Sequence, residues 1–172
     1  MAIDPTNFII GTYTICLNDA DIGSTTGSCT VRHTPTYLSI PSDQLAGTAK
    51  TVRTSEQLFV SLTAQEVTLD LLRLAMGYPA ANLALAVLTL GYNDGCLLEE
   101  NTLAIKGPGP ACGCRSFEFY RAVSITESEY VLSITENTQL AMEFEILKDP
   151  SNANTFGIVT DGCVYVDAIT CT

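Results

Sequence analysis

Residues 18–76, NDADIGSTTGSCTVRHTPTYLSIPSDQLAGTAKTVRTSEQLFVSLTAQEVTLDLLRLAM, decide the fold of this chain. The segment DIGSTTG (Asp21–Gly27) supplies the glycines that a hairpin reversal needs. SCTVRHTPTYLSI (Ser28–Ile40) then reads as an extended strand with Thr and Tyr on alternating positions. A second alternating strand runs directly into a short helix within LTAQEVTLDLLRLAMG. That order of elements describes a scaffold rather than a catalyst.

From 28 to 40, Thr30, Arg32, Thr34 and Thr36 fall on one side and Cys29, Val31, His33 and Tyr37 on the other, giving one polar and one mostly apolar face. Pro35 has no N–H to give to a ladder, so it marks a bulge or a sheet edge. Over 52–64, Leu58, Val60 and Leu62 oppose Arg53, Ser55, Gln57, Ser61 and Thr63, with Phe59 the exception. Between these strands, residues 41–51 (PSDQLAGTAKT) read as a polar, flexible loop. The helix, about 67–76, spaces Val67, Leu71, Leu74 and Ala75 toward one side, and Gly77 with Pro79 ends it.

Outward from this segment, 8–17 (FIIGTYTICL) form a first strand. Asn18, Asp19 and Asp21 make an Asx-type turn, because the remaining oxygen ligands and the closing Glu of a calcium loop are missing. The uninterrupted apolar run at 80–92 has no usable period and is compatible with a short helix or a buried strand. A strand at 97–106 is followed by GPGPACG, a rigid turn without the Gly-Lys-Ser/Thr ending of a phosphate loop. In 116–125, Phe117, Phe119, Val123 and Ile125 oppose Ser116, Glu118, Tyr120 and Ser124, while Arg121 interrupts the apolar side. In 139–147, Leu140, Met142, Phe144 and Ile146 oppose Gln139, Glu143 and Glu145. These read as neighbouring strands, with Glu118, Glu143 and Glu145 sharing a solvated face. Residues 160–172 form a last strand or arm, apolar enough to dock on its own subunit or a neighbour. The whole is one domain over 1–172, mainly β: an antiparallel β-sandwich with one flanking short α-helix.

Composition narrows the function classes. At 172 residues with 47% hydrophobic side chains, the chain buries a real core. A formal charge of −11 disfavours a protein that grips phosphates with Lys and Arg. Seven scattered cysteines, an odd number with no signal peptide ahead of them, are expected to be reduced thiols. Cys112 and Cys114 lie close, but zinc sites use two spaced ligand pairs, and His33 is the only histidine. No metal or cofactor is expected. A Ser/His/Asp hydrolase would have to use His33, and GSTTG is not a G-x-S-x-G elbow, so no catalytic residue is assigned. MAIDPTNF lacks a basic segment leading into an apolar one, and the apolar run near 83–90 is too short for a bilayer. Secretion and membrane insertion are not expected.

In order along the chain, DIGSTTGSCTVRHTPTYLSI, LFVSLTAQEVTLDLLRLAMG, FYRAVSI and MEFEILKDP resemble the tail tube (major tail) proteins of long-tailed bacteriophages, over roughly residues 8–159. The resemblance implies rings of six subunits stacked into a hollow tube in the virion, assembled in the host cytoplasm. DNA passes through without specific binding. It also implies contacts with tape measure, terminator and baseplate proteins. Under it, the 41–51 loop, with Asp43, Gln44, Leu45 and Lys50, meets the next ring, and Glu118, Glu143 and Glu145 line the channel. A tail-terminator or baseplate protein on a related fold, and a monomeric β-sandwich binding carbohydrate, are the alternative readings.

Overall fold

The structure is a computed structural model describing residues 13–23, 25, 27–42, 47–91, 98–110, 113–127, 138–163 and 171. Among the described residues, ten strands and one α-helix follow in order: β1 (Thr14–Leu17), β2 (Ala20–Asp21), β3 (Thr30–Ser42), β4 (Gly47–Ala64), α1 (Leu69–Ala75), β5 (Leu83–Ala84), β6 (Val87–Leu88), β7 (Glu100–Pro108), β8 (Cys114–Ser124), β9 (Leu140–Ile146) and β10 (Gly157–Cys163). All pairings among them are antiparallel. The main sheet runs β2-β1-β7-β8-β9-β4-β3, and β10 joins it on β8.

Strand β8 divides the sheet into two wings. Its residues 114–119 pair with β10, whereas only Ala122–Ser124 pair with β9. Ile15, Leu17, Leu103, Ile105 and Phe119 from one wing join Val60, Leu62, Leu140, Met142, Phe144 and Ile146 from the other in a single buried cluster, closed by Leu71, Leu74 and Ala75 of α1. This is the sandwich that the alternating strands predict, with the helix covering one side.

A bulge sits where the two wings meet. Leu103 lies opposite Phe119 but Asn101 lies opposite Ala122, so β8 carries one extra residue around Tyr120–Arg121. The extra residue switches the alternation. Phe117 and Phe119 face the Leu103–Ile105 side, and beyond the bulge Ala122 and Ser124 take over the inward positions. The expected faces for 116–125 are therefore corrected beyond Phe119: Ser124 is buried, donating to the Ala75 carbonyl at 2.6 Å. Arg121 does not interrupt the core at all; it points outward to Glu100.

Local chemistry sets the element ends. Thr68 caps α1, its Oγ1 accepting from the Leu71 N–H at 3.1 Å. At the other end Gly77, at φ +68°, donates to Leu74 O while Tyr78 donates to Arg73 O, a Schellman ending. Asn18 and Asp19, both left-handed, form the two-residue turn between β1 and β2. The 80–92 run is neither a regular helix nor a buried strand over residues 80–91: a 3₁₀ turn at Ala80–Asn82 leads into the small β5–β6 hairpin. Leu85 and Ala86 form its turn at φ +50° and +61°, and Leu85 is fully exposed.

Two other expectations change. The 41–51 loop is much shorter, because Pro41 and Ser42 belong to β3 and Gly47–Thr51 to β4; only 43–46, outside the described residues, remain between the strands. Thr48, Thr51 and Val52 are polar or exposed but β-branched, and that suits a pleated ribbon. The cysteines are not all reduced: Cys16 and Cys171 form a disulfide across 155 residues, and Cys114 is also disulfide-bonded. Among the described residues Cys29 is free, and burial pushes its thiol up to about 11. Sequence spacing carries no information on the pairing of Cys16 with Cys171, which depends on the fold returning the chain end to β1.

Strand β10 is held on β8 by a fork of Arg115 on Asp161, at 2.6 and 2.7 Å, and by the closeness of Gly157. A Cβ on Gly157 would stand 2.0 Å from the Glu118 carbonyl oxygen, so only glycine allows this approach. Gly157→Ala is expected to cost about 2 kcal/mol by forcing the strands apart. Chemical denaturation checks this, and a variant as stable as the parent would show that β10 is loosely held.

Candidate assembly surface

The feature that a single domain does not require is the outer part of the β3–β4 pair. β9 covers only Leu58–Ala64 of β4, while β3 is an edge strand with nothing on its other side among the described residues. Residues 47–57 therefore pair with β3 alone. At about 3.3 Å per residue this ribbon extends roughly 35 Å. Pro35 in β3 marks the edge, as the sequence requires, and a register shift follows between Thr36 and Tyr37. Nearly every described side chain of the ribbon is exposed, including Tyr37, Leu38, Ile40 and Val52. Isolated two-stranded ribbons are marginal in water, and exposed apolar side chains of this density mark contact surfaces.

The ribbon is rooted by one carboxylate. Glu56 accepts Lys148 Nζ at 2.8 Å and Arg53 Nη1 at 2.9 Å, and faces His33 Nε2 at 3.4 Å. The Lys148 hydrogen bond, with smaller help from His33 and Arg53, holds the Glu56 carboxyl below its usual range. Arg121 does the same for Glu100, the Ser151 N–H for Asp149, and Arg115 for Asp161. Each of these carboxyls is more acidic folded than unfolded. Their stabilisation is present above the unfolded value of about 4 and is lost as pH falls through the lower folded values. Denaturation midpoints are expected to fall between about pH 5 and about pH 2. An unchanged midpoint over that range would show these pairs to be energetically silent, as exposed pairs often are.

Of the proposed channel residues, the fold brings two together. Glu143 and Glu145 lie on β9, half-buried, on the face away from the core. Glu145 belongs to a cross-strand row running Arg32, Phe59, Glu145, Val123, Glu100 over β3, β4, β9, β8 and β7. Arg32 stacks over the Phe59 ring at 4.7 Å and reaches Glu143 at 2.9 Å. Arg121 forks onto Glu100, with Nε at 2.7 Å. This face is thus mixed in charge rather than a plain acidic wall. Glu118 stands apart from it: it lies in the row Cys16, Ala104, Glu118, Ile158, on the stretch of β8 that pairs with β10. β8 and β9 are neighbours, as expected, but Glu118 lies on the part of β8 that pairs with β10 and not on the part that meets β9. Of the proposed ring-contact residues, Lys50 is exposed on β4 opposite Ile40, and Asp43, Gln44 and Leu45 lie outside the described residues.

Sequence reasoning missed Arg32 and Glu56 as organising residues. For Arg32 the signal was present, since it alternates onto the same face as Phe59. Glu56 gave none, because Lys148 is 92 positions away. Among the described residues no group of His, Cys, Asp and Glu is arranged to hold a metal ion, and no helix is long and apolar enough to cross a membrane. Compared with known proteins, the chain matches no family model and no curated protein.

Proposed function

We propose that this chain is a tail tube protein of a long-tailed bacteriophage, assembling with copies of itself into rings, six subunits each by resemblance, that stack as a conduit for DNA. The observation that carries this reading is the β3–β4 ribbon: a long arm, apolar and exposed, rooted on the body by Glu56. The edges of β3 and β10, without a neighbouring strand among the described residues, add to it, because edge pairing between subunits removes surfaces that otherwise aggregate. The net charge of −11 suits a wall that DNA slides past, since phosphates are repelled within about one Debye length, roughly 8 Å. Glu143 and Glu145 are the candidates for that wall, and Arg32 tempers Glu143. The Cys16–Cys171 bridge supports a protein that works outside a reducing cytosol, as a released virion does.

Electron microscopy of the purified full-length protein tests the reading. Open-ended tubes are the expected product. Single closed rings would favour a tube-end component, and particles of monomer size at every concentration would overturn self-assembly.

A further inference from the structure

The charges of this chain are unevenly divided. Residues 30–57 hold Arg32, Lys50 and Arg53 against Asp43 and Glu56, a formal +1; the remainder holds five Lys/Arg against seventeen Asp/Glu, a formal −12. Within the ribbon, Leu38 lies opposite Val52 and Ile40 opposite Lys50. Residues directly opposite share a face, so three exposed apolar side chains end on one ammonium.

A recess of complementary pattern lies between the β1–β2 turn and α1. It holds about 130 Å³, the scale of a benzene-sized group. Leu17, Leu71 and Leu74 line its floor, and Asp21, Glu66 and Asp70 its rim. Arg73, the cation paired to Asp70, is shared with Glu99, and Asp21 accepts from the neutral Gly23 N–H at 2.9 Å, so the rim keeps net negative charge.

We propose that the ribbon of one copy docks at this recess of a second copy, the Leu38 side chain filling it, Val52 and Ile40 covering its mouth and Lys50 meeting the Glu66 and Asp21 carboxylates. The ribbon does not reach the recess of its own chain. Lys50 lies near the free end of β4 and Glu66 just past the other end, some 45 Å away at strand rise. Donor and acceptor surfaces differ, so the contact is head-to-tail and either closes into a ring or continues as a filament. The inference rests on the self-assembly reading above and names the surfaces that carry it.

The experiment compares full-length Lys50→Glu, Glu66→Lys and the double charge swap by sedimentation velocity, at low and high salt. Each single substitution is expected to weaken self-association at least ~10-fold, and the swap to return it within ~3-fold of the parent. Leu38→Asp, on the exposed ribbon face, is expected to weaken it similarly and serves if Glu66→Lys does not fold. Singles that associate like the parent, or a swap no better than either single, would overturn the docking. Tubes formed normally by both singles would leave the tube reading standing and remove this contact. Small oligomers without tubes, lost in the singles and regained in the swap, would keep the contact and remove the tube.

Discussion

Cys171→Ser is expected to lower the unfolding free energy by about 4 kcal/mol. The Cys16–Cys171 bridge spans 155 residues, and opening a loop of that size releases unfolded-state entropy worth about 5 kcal/mol in the chain-entropy model, with 2–4 kcal/mol typical in practice. Cys171 is the better site for the test because Cys16 is buried at 3% exposure, and a serine hydroxyl there would add its own penalty. The measurement is urea unfolding followed by tyrosine fluorescence, tryptophan being absent. The parent in strong reductant should match the variant in the same reductant, since both then lack the bridge. A variant within about 0.5 kcal/mol of the oxidised parent would mean that the chain end contributes nothing to stability.

That bridge also marks where the sequence stops being readable. Alternation located β3, β4, β8 and β9, and the spacing of Val67, Leu71, Leu74 and Ala75 with Gly77 and Pro79 located α1, because these signals are local: they depend on a residue and its near neighbours. Pro35 forecast a bulge or an edge for the same reason. The bulge at Tyr120–Arg121 is different in kind. It exists only relative to β7, and without the partner strand Arg121 reads as an intrusion into an apolar face. The ribbon length was misjudged because polar composition suggests a loop, while the Thr-rich run from Gly47 pairs residue by residue with β3. The β5–β6 turn lacks the Asn-Gly signature of its left-handed geometry, being Leu85–Ala86, so no turn signal was available.

The candidate surface divides in the same way. Lys50 and the polar faces of β3 and β4 were legible, but the groups that anchor the ribbon meet only in three dimensions. Glu56 gathers the His33 ring from β3, Arg53 from β4 and Lys148 from the segment after β9. The separation of Glu118 from Glu143 and Glu145 follows from the division of β8 between two partners, and no periodicity within 116–125 encodes it. A surface assembled from several strands is therefore less visible in sequence than the strands themselves.

Arg73→Ala is expected to cost about 3 kcal/mol, because a buried guanidinium loses its hydrogen bonds while its partners Asp70 and Glu99 stay partly open to water. Arg73 is 5% exposed on α1. Its Nε donates to Asp70 at 2.9 Å, while Nη1 donates to the Tyr78 carbonyl at 2.7 Å and to Glu99. One guanidinium thus ties the helix to the turn that ends it and to the segment entering β7. Removing it takes the donor from the Tyr78 carbonyl and the cation from Glu99. Arg73→Lys keeps the charge but cannot form the same planar fork, so about 2 kcal/mol should still be lost. Arg73→Met fills the volume without the charge and should fall between the alanine variant and the parent. Urea denaturation of the three variants orders these contributions. An alanine variant within about 1 kcal/mol of the parent would show that solvent compensates the lost bonds. Because α1 also forms one wall of the acid-rimmed recess, a loosened helix should weaken self-association along with stability. Lys50→Glu, by contrast, should weaken association while leaving the melting transition in place.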